Sequence, residues 1–205
     1  MKIDRSQITA GVLAGGAGRR LGGIDKGWYV LEGRALVEHT LARLQSQAGS
    51  LLISANRSLA RYRGLGCEVV TDRQPGHGGP LQGLASLLHA ASTPYLLVVP
   101  VDTPALPDDL GQRLAAAMTP GIDLVCARAA GRRQPLHALM HRRVLDALED
   151  ALAAGTARVT DWQARLAVAE VDWPQAQAFA NINAPGDARA WQDTRSIAAS
   201  FHRHE

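Results

Sequence analysis

Short apolar runs recur along the chain, and polar or glycine-rich segments separate them. Such runs, when turn signals bound them, are typical of strands that are buried on both faces of a sheet. The run Tyr-Leu-Leu-Val-Val at residues 95–99 is the most hydrophobic, which predicts a central strand. The whole pattern predicts strands at residues 8–13, 51–53, 68–71, 95–99, 122–127, 136–140, 168–171 and 179–182.

Helical patterns alternate with these runs. Leu36, Val37, Leu41 and Leu44, for example, recur at the spacing that places side chains on one face of a helix. The same reasoning predicts helices at residues 35–47, 57–63, 81–91, 108–118, 143–154 and 185–191, and a polar turn at 131–134. Alternating strands and helices predict an α/β fold, a three-layer α/β/α sandwich with a mostly parallel sheet. We expect one domain over residues 1–192 and a tail at 193–205.

A glycine-rich segment with basic residues follows the first predicted strand. Glycine lets the backbone take positive φ angles and bring bare N–H groups close to a ligand, and consecutive N–H groups form an anion-binding nest. Cationic side chains add donors for phosphate oxygens. The segment contains Gly15, Gly16, Gly18, Gly22 and Gly23, with Arg19, Arg20 and Lys26. It matches neither a P-loop nor the dinucleotide fingerprint, so spacing alone leaves two interpretations, a phosphate cradle and a flexible surface loop.

Several polar residues follow the predicted strands, where an α/β sheet binds its ligands. Asp102 ends the central strand between Pro100 and Pro104, as expected of a Mg²⁺ ligand but also of a turn aspartate. Asp72 follows another strand, where a turn aspartate is also expected. Asn56 is a candidate cap of the next helix.

Charge, apolar stretches, cysteines and missing motifs limit the classes of function that this protein could have. The formal net charge is +3, and the 22 basic residues are spread along the chain, which gives no evidence for nucleic-acid binding. The longest apolar stretch, residues 95–101, is too short to span a bilayer, and no secretion signal is visible, so we expect a cytoplasmic protein. Cys67 and Cys126 are expected to be reduced thiols. The motifs of serine hydrolases, zinc proteases and CxxC proteins are absent from the sequence, which suits a reaction without a protein nucleophile.

Residues 13–26, Leu-Ala-Gly-Gly-Ala-Gly-Arg-Arg-Leu-Gly-Gly-Ile-Asp-Lys, resemble the N-terminal signature of nucleotidyltransferases. The Gly-Gly-x-Asp-Lys-Gly ending is similar to the form found in molybdenum cofactor guanylyltransferases. Four further segments resemble that family in the same order, Ser-Ala-Asn-Arg at 54–57, Gly-Pro-Leu-Gln-Gly at 79–83, Pro-Val-Asp-Thr-Pro at 100–104 and Asn-Ile-Asn-Ala-Pro at 181–185. Three residues depart from the family pattern, namely Ser54 in place of an asparagine, Val101 and Ala184. The resemblance makes Asn56 the alternative base contact, as against its role as a helix cap.

The resemblance covers residues 8–191 and implies a Rossmann-like nucleotidyltransferase fold and a specific reaction. GMP would pass from GTP to the terminal phosphate of molybdopterin, and pyrophosphate would leave. Transient contacts with molybdopterin-synthesis proteins and molybdoenzyme chaperones would follow, without nucleic acid or membrane. The alternatives are a molybdopterin cytidylyltransferase, a sugar-phosphate nucleotidyltransferase, and a non-catalytic module that binds GTP or delivers cofactor.

The resemblance also implies residue roles. Arg20, Lys26 and Asp102 would be catalytic, with Asp102 holding Mg²⁺. The nucleotide would contact Leu13, Ala14, Gly15, Gly16, Gly18, Lys26, Ser54, Asp72, Gly79, Pro80, Leu81 and Asp102. The second substrate would contact Arg19, Arg158, Asn181 and Asn183, and Arg132 and Arg133 are further candidates for its anionic groups.

Overall fold

A computed structural model describes residues 2–15, 24–73, 79–184, 186–189 and 191. Its strands are β1 (Ile8–Leu13), β2 (Val30–Leu31), β3 (Arg34–Ala35), β4 (Ser50–Ser54), β5 (Glu68–Val70), β6 (Tyr95–Pro100), β7 (Leu124–Ala129), β8 (Arg132–His141) and β9 (Val168–Trp173). Its α-helices are α1 (Leu36–Leu44), α2 (Leu59–Arg63), α3 (Pro80–Ala90), α4 (Leu110–Ala117), α5 (Leu145–Ala153) and α6 (Val159–Gln163). Short 3₁₀ helices cover Arg5–Gln7, Lys26–Trp28, Arg142–Val144 and Ala176–Phe179. Among the helices of these ranges, none is long and apolar enough to cross a membrane.

The central sheet confirms the predicted fold class. In the described residues it has seven strands in the order β5-β4-β1-β6-β8-β7-β9. β5, β4, β1 and β6 pair in parallel, β8 runs antiparallel to both of its neighbours, and β9 pairs in parallel with β7. The most hydrophobic strand, β6, lies at the centre of the sheet as predicted.

Alternating side chains of the strands build a core on each face of the sheet, because successive residues of a strand point to opposite faces. Leu97 and Val99 of β6 belong to the core that includes α1 and α4. Leu96 and Val98 belong to the other core, which includes α3, α5 and α6. The sheet therefore forms the middle of three layers.

Helix α3 packs unusually close to β1. A Cβ atom at Gly11 of β1 would lie 2.8 Å from Leu87 Cδ1 of α3. That separation is shorter than carbon atoms allow, so glycine at this position permits the close approach. Nearer the start of α3, a Cβ at Gly83 would lie 3.0 Å from Leu13 Cδ2, so this part of the helix packs beside the carboxyl end of β1.

Two tight hairpins differ from the sequence prediction. β2 and β3 join through Glu32 and Gly33, and β7 and β8 join through Ala130 and Gly131. All four of these turn residues have positive φ angles, between 48° and 78°, as two-residue hairpin turns of type I′ require. The first hairpin was not predicted, and residues 132–134, predicted as part of a turn, belong to β8.

One prediction was wrong near the C-terminal part of the chain, and one helix there was not predicted. The segment 179–182, predicted as a strand, begins at the end of a 3₁₀ helix, and the Ile182 N–H donates to the Asp102 carbonyl (2.8 Å). Helix α6 was not predicted, because its five residues are too few to show a period. Cys67 and Cys126 are free thiols, as predicted.

Candidate active site

A cavity of about 540 Å³ opens at the carboxyl ends of the parallel strands. Backbone hydrogen bonds continue the pairing of β1 with β4 and β6 to these ends, since Ala14 N donates to Ser54 O (2.8 Å) and Val101 N donates to Leu13 O (3.1 Å). The first residues of α3 close another side. The cavity is lined by Leu13, Gly15, Lys26, Ser54, Asn56, Asp72, Gly79, Pro80, Gly83, Pro100, Val101, Asp102 and Leu136. It therefore brings together most of the residues predicted to contact a nucleotide.

Lys26 and Asp102 form an ion pair in this cavity. Their side chains are only 13% and 14% exposed, and Lys26 Nζ donates to Asp102 Oδ2. Lys26 Nζ also donates to Asn183 Oδ1 (2.5 Å). Asp102 Oδ1 is buried and accepts no hydrogen bond from any residue that the structure describes. Because an ammonium group has three donors, these two bonds leave one N–H of Lys26 for a ligand.

The turn that carries Lys26 is held by a buried tyrosine. Asp25 precedes Lys26 and caps the 3₁₀ helix Lys26–Trp28, and its Oδ1 accepts from the Tyr62 hydroxyl (2.7 Å) and from Gly27 N (3.3 Å). Burial and the neighbouring Asp25 raise the pKa of Tyr62 far above its usual range, so the hydroxyl remains a donor. A Cβ at Gly27 would lie 2.3 Å from Tyr62 Oη, which explains the glycine after Lys26.

Asn56 and Asp72 form a two-point contact on the wall of the cavity. Asn56 Nδ2 donates to Asp72 Oδ2 (2.8 Å), and Asp72 N donates to Asn56 Oδ1 (2.9 Å). Asp72 Oδ1 is buried and has no partner within the described ranges. The predicted alternative that Asn56 caps the next helix is wrong, because the cap of α2 is Ser58.

The start of α3 borders the cavity and has no side-chain cap. Its cap, Gly79, has φ 63° and ψ −160°, a conformation that only glycine adopts readily, and Pro80 fills the first helical position. A Cβ at Gly83 would lie 2.7 Å from Ser54 Oγ, so the helix touches the end of β4 at this point. Because Gly79 has no side chain to cap the helix, the first N–H groups of α3 favour an anion.

The segment with Asn181 and Asn183 crosses the Asp102 turn. Thr103 Oγ1 donates to Asn181 Oδ1 (3.0 Å), while Asn183 accepts from Lys26. The buried His137 of β8 contacts Thr103 through Nε2 (3.1 Å to Oγ1), and burial lowers its pKa to about 3. The predicted asparagines therefore lie beside the Lys26–Asp102 pair.

Other predicted residues lie elsewhere. Ala14 and Leu81 are fully buried, and Leu81 packs into the core beside α3, so neither side chain faces a ligand. Arg158 is exposed and follows Ala157, whose carbonyl oxygen would be 3.8 Å from a Cβ at Gly79. Arg133 lies on β8 and donates to Glu170 Oε1 (2.8 Å from Nε) instead of facing a ligand. Gly16, Gly18, Arg19 and Arg20 lie outside the described residues.

The oxygen atoms of this site suit a hard cation such as Mg²⁺, held by few side chains and mainly by phosphates and waters. Within the described residues, no three His, Cys, Asp or Glu side chains are grouped to hold a metal ion. Mg²⁺ is usually bound by one or two carboxylates together with phosphates and waters. The second oxygen of Asp102, which is buried beside a cavity of nucleotide size, fits that requirement.

Sequence reasoning missed four residues that support this site, namely Asp25, Tyr62, Thr103 and His137. Asp25 and Thr103 lie inside the quoted motifs, so their position beside Lys26 and Asp102 was a usable signal. Tyr62 and His137 are single polar residues in a predicted helix and a predicted strand, and nothing in their neighbourhood marks them.

Residues 10–169 match the MobA-like NTP transferase domain family. The molybdenum cofactor guanylyltransferase of Cupriavidus necator is 43% identical over 193 residues, covering 91% of this chain and 97% of the relative. The enzyme of the same name from Bordetella pertussis is 38% identical, covering 93% and 99%.

Solved structures agree on the fold. Molybdopterin-guanine dinucleotide biosynthesis protein A from Archaeoglobus fulgidus has a TM-score of 0.74 and 23% identity, covering 92% of this chain and 99% of its own. The 4-diphosphocytidyl-2C-methyl-D-erythritol synthase of Anaerococcus prevotii has the same TM-score at 11% identity, covering 93% and 96%. The fold, the cavity and these matches show that the chain belongs to the MobA-like NTP transferase family, together with the molybdenum cofactor guanylyltransferases.

Proposed function

We propose that this protein transfers GMP from GTP to the terminal phosphate of molybdopterin and releases pyrophosphate. The observation that carries the proposal is the Lys26–Asp102 pair, which lies in a nucleotide-sized cavity at the carboxyl ends of the strands. Relatives of 38–43% identity over most of the chain are named molybdenum cofactor guanylyltransferase, which supports this choice of substrates.

The reaction requires positioning and charge neutralisation and no protein nucleophile. An oxygen of the acceptor phosphate attacks the α-phosphorus of GTP, and the bond to the oxygen that bridges to the β-phosphorus breaks. Lys26 directs its third N–H to a triphosphate oxygen, and the first N–H groups of α3 add partial positive charge. Arg20 and the backbone of Gly15, Gly16 and Gly18 complete the phosphate cradle. Arg20, Gly16 and Gly18 lie outside the described residues, so their part rests on the motif.

Asp102 is the residue that would hold Mg²⁺, through the oxygen that Lys26 does not engage. When bound, the ion neutralises phosphate charge and orients the triphosphate. Asp102 also holds Lys26 in position, because the two side chains form an ion pair. Removing the carboxylate would therefore affect both groups.

Asp72 is the proposed contact to guanine. A carboxylate oxygen accepts from the ring N–H and exocyclic amino group of guanine, and Asp72 Oδ1 is buried at the cavity wall. Asn56 occupies Oδ2, which leaves Oδ1 directed to the base. Ser54, which stands where the family has an asparagine, is only 2% exposed and contributes the floor of the cavity.

The remaining assignments complete the proposal. Arg19, Arg158, Asn181 and Asn183 contact the pterin substrate. Residues 1–192 act as a single nucleotidyltransferase domain in the cytoplasm, followed by the tail 193–205, and the protein makes transient contacts with molybdopterin-synthesis proteins and molybdoenzyme chaperones.

The test measures pyrophosphate release with Mg²⁺ and molybdenum-loaded molybdopterin, using either GTP or CTP. We expect release with GTP and not with CTP. Release with CTP alone would establish a cytidylyltransferase and overturn the role of Asp72. GTP binding without release under any condition would point to a non-catalytic module.

A further inference from the structure

A chain of hydrogen-bonded polar side chains lies behind the Asp102 turn, and its two buried members, His137 and Thr103, have no part in the chemistry described so far. It begins at His137, which is 3% exposed and lies in the irregular part of β8. The register of β7 and β8 jumps from Cys126↔Ala138 to Ala127↔Gln134, so residues 135–137 bulge out of the ladder. The proline at 135 donates no ladder hydrogen bond, which suits a bulge. The bulge places His137 beneath the Asp102 turn, with its ring against the edge of Phe179 (centroids 5.1 Å apart).

The direction of each hydrogen bond follows from the Asn181 end of the chain, where Thr103 Oγ1 donates to the amide oxygen. His137 is neutral, because burial lowers the pKa of the imidazole to about 3. Thr103 has one hydroxyl proton, and Asn181 Oδ1 lies 3.0 Å from its oxygen. When that proton is donated to Asn181, the Thr103 oxygen is left to accept from the Nε2–H of His137, 3.1 Å away. The direction of each hydrogen bond in the chain then determines the direction of the next.

The end of the chain is the side-chain amide of Asn181. Because its oxygen accepts from Thr103, its NH₂ group is the part that is available to a ligand, and Asn181 is exposed. Asn183 lies on the same side of this extended segment and is bonded to Lys26. The backbone is anchored between them, since Ile182 is 1% exposed and its N–H donates to the Asp102 carbonyl.

We propose that His137 and Thr103 are positioning residues that orient the Asn181 amide so that its NH₂ group faces the acceptor phosphate. The inference rests on the proposed function for the identity of that ligand, a phosphate monoester. With the amide reversed, its oxygen would face the anion and repel it. His137 itself touches no substrate and acts only through Thr103.

The test compares Thr103→Val, which removes the hydroxyl at constant shape, with Thr103→Ser, which retains it. We expect Thr103→Val to raise the KM for molybdopterin about tenfold, the effect of one lost directional hydrogen bond, with the KM for GTP unchanged. Thr103→Ser should restore the wild-type value. His137→Gln, which keeps a donor near the Nε2 position, should be milder than His137→Leu.

A double-mutant cycle gives the sharper outcome. Thr103→Val combined with Asn181→Ala should be no worse than Asn181→Ala alone, because Thr103 acts only through that amide. Additive effects, or equal increases in the KM of both substrates, would overturn the proposal. The matched control is Thr93→Val, because Thr93 also donates from its hydroxyl in a part-buried position but lies before β6, at the opposite end of that strand.

A readout without turnover separates this inference from the proposed function. The Asn181 side-chain NH₂ resonances of ¹⁵N-labelled protein are followed while inorganic phosphate is added. We expect them to shift in the wild type and in Thr103→Ser but not in Thr103→Val. If the wild type releases no pyrophosphate yet shows this pattern, the function fails and the positioning role stands. Equal shifts in all three proteins would refute the positioning role.

Discussion

Tyr62→Phe removes one oxygen atom from the support beneath Lys26. In the wild type the Tyr62 hydroxyl donates to Asp25 Oδ1 at 2.7 Å, from a side chain that is fully buried. Asp25 Oδ2 is also buried and has no partner among the described residues, so the variant leaves the carboxylate with only the Gly27 N–H at 3.3 Å. A hydrogen bond to a charged group contributes about 1.5–3 kcal/mol. We therefore expect the free energy of unfolding to fall by about 2 kcal/mol.

The same change should lower activity, because Asp25 caps the turn that presents Lys26. We expect kcat/KM for GTP to fall about tenfold, as a shift of about 1.4 kcal/mol in transition-state stabilisation would produce. Urea unfolding measures the loss of stability. Pyrophosphate release measures kcat/KM, without urea and at a temperature at which the variant remains folded.

Tyr95→Phe is the matched control. Tyr95 is also buried, but it begins β6 at the opposite end of the strand from Asp102, with its ring against His141. This variant should keep wild-type kcat/KM. The reasoning is refuted if Tyr62→Phe keeps full stability, or if it loses stability while kcat/KM for GTP stays at the wild-type value.

Three further predictions follow from other parts of the structure. Asp102→Asn should lower kcat on the order of a hundredfold while circular dichroism stays unchanged, and retained Mg²⁺-dependent activity would contradict the metal assignment. Gly83→Ala places a Cβ 2.7 Å from Ser54 Oγ, so it should weaken GTP binding by calorimetry more than Gly121→Ala, where only backbone strain is expected; equal binding losses would argue against close packing of α3. His137 has a pKa of about 3 when folded and about 6.5 when unfolded; the unfolded state binds the extra proton between these values. The contribution of His137 to stability is therefore complete above pH 6.5 and falls by up to about 1.4 kcal/mol per pH unit below it. The wild type should lose more stability than His137→Leu between pH 6.5 and pH 5. Parallel curves of unfolding free energy against pH for the two proteins would exclude this linkage.

The Lys26–Asp102 pair is better explained by chemistry than by stability. Both side chains are largely buried, so each has lost most of its hydration. Replacing such a pair with apolar residues is often neutral or stabilising, because desolvation offsets much of the attraction. The pair keeps a carboxylate oxygen and an ammonium proton available beside the cavity, which an apolar pair would not do.

Local spacing in the sequence determined the fold class and the edge of the sheet at which the cavity opens. Buried strands and amphipathic helices appear as runs and periods of apolar residues, so β1, β6 and α3 could be predicted within one or two residues. The carboxyl ends of parallel strands share one edge, so Asp72 and Asp102 were correctly predicted to lie near each other. The β2–β3 hairpin and helix α6 escaped prediction because their signals are only a few residues long.

Only the tertiary structure decided which side chains support the site. Tyr62 lies 37 residues from Asp25, His137 lies 34 residues from Thr103, and Thr103 lies 78 residues from Asn181. Each contact depends on how helices and strands pack across the sheet, and a single tyrosine or histidine inside a regular element leaves no periodic trace of its partner. The sequence thus identifies residues that follow strands or lie in glycine-rich motifs, whereas the orientation of a buried donor is known only after the elements have packed.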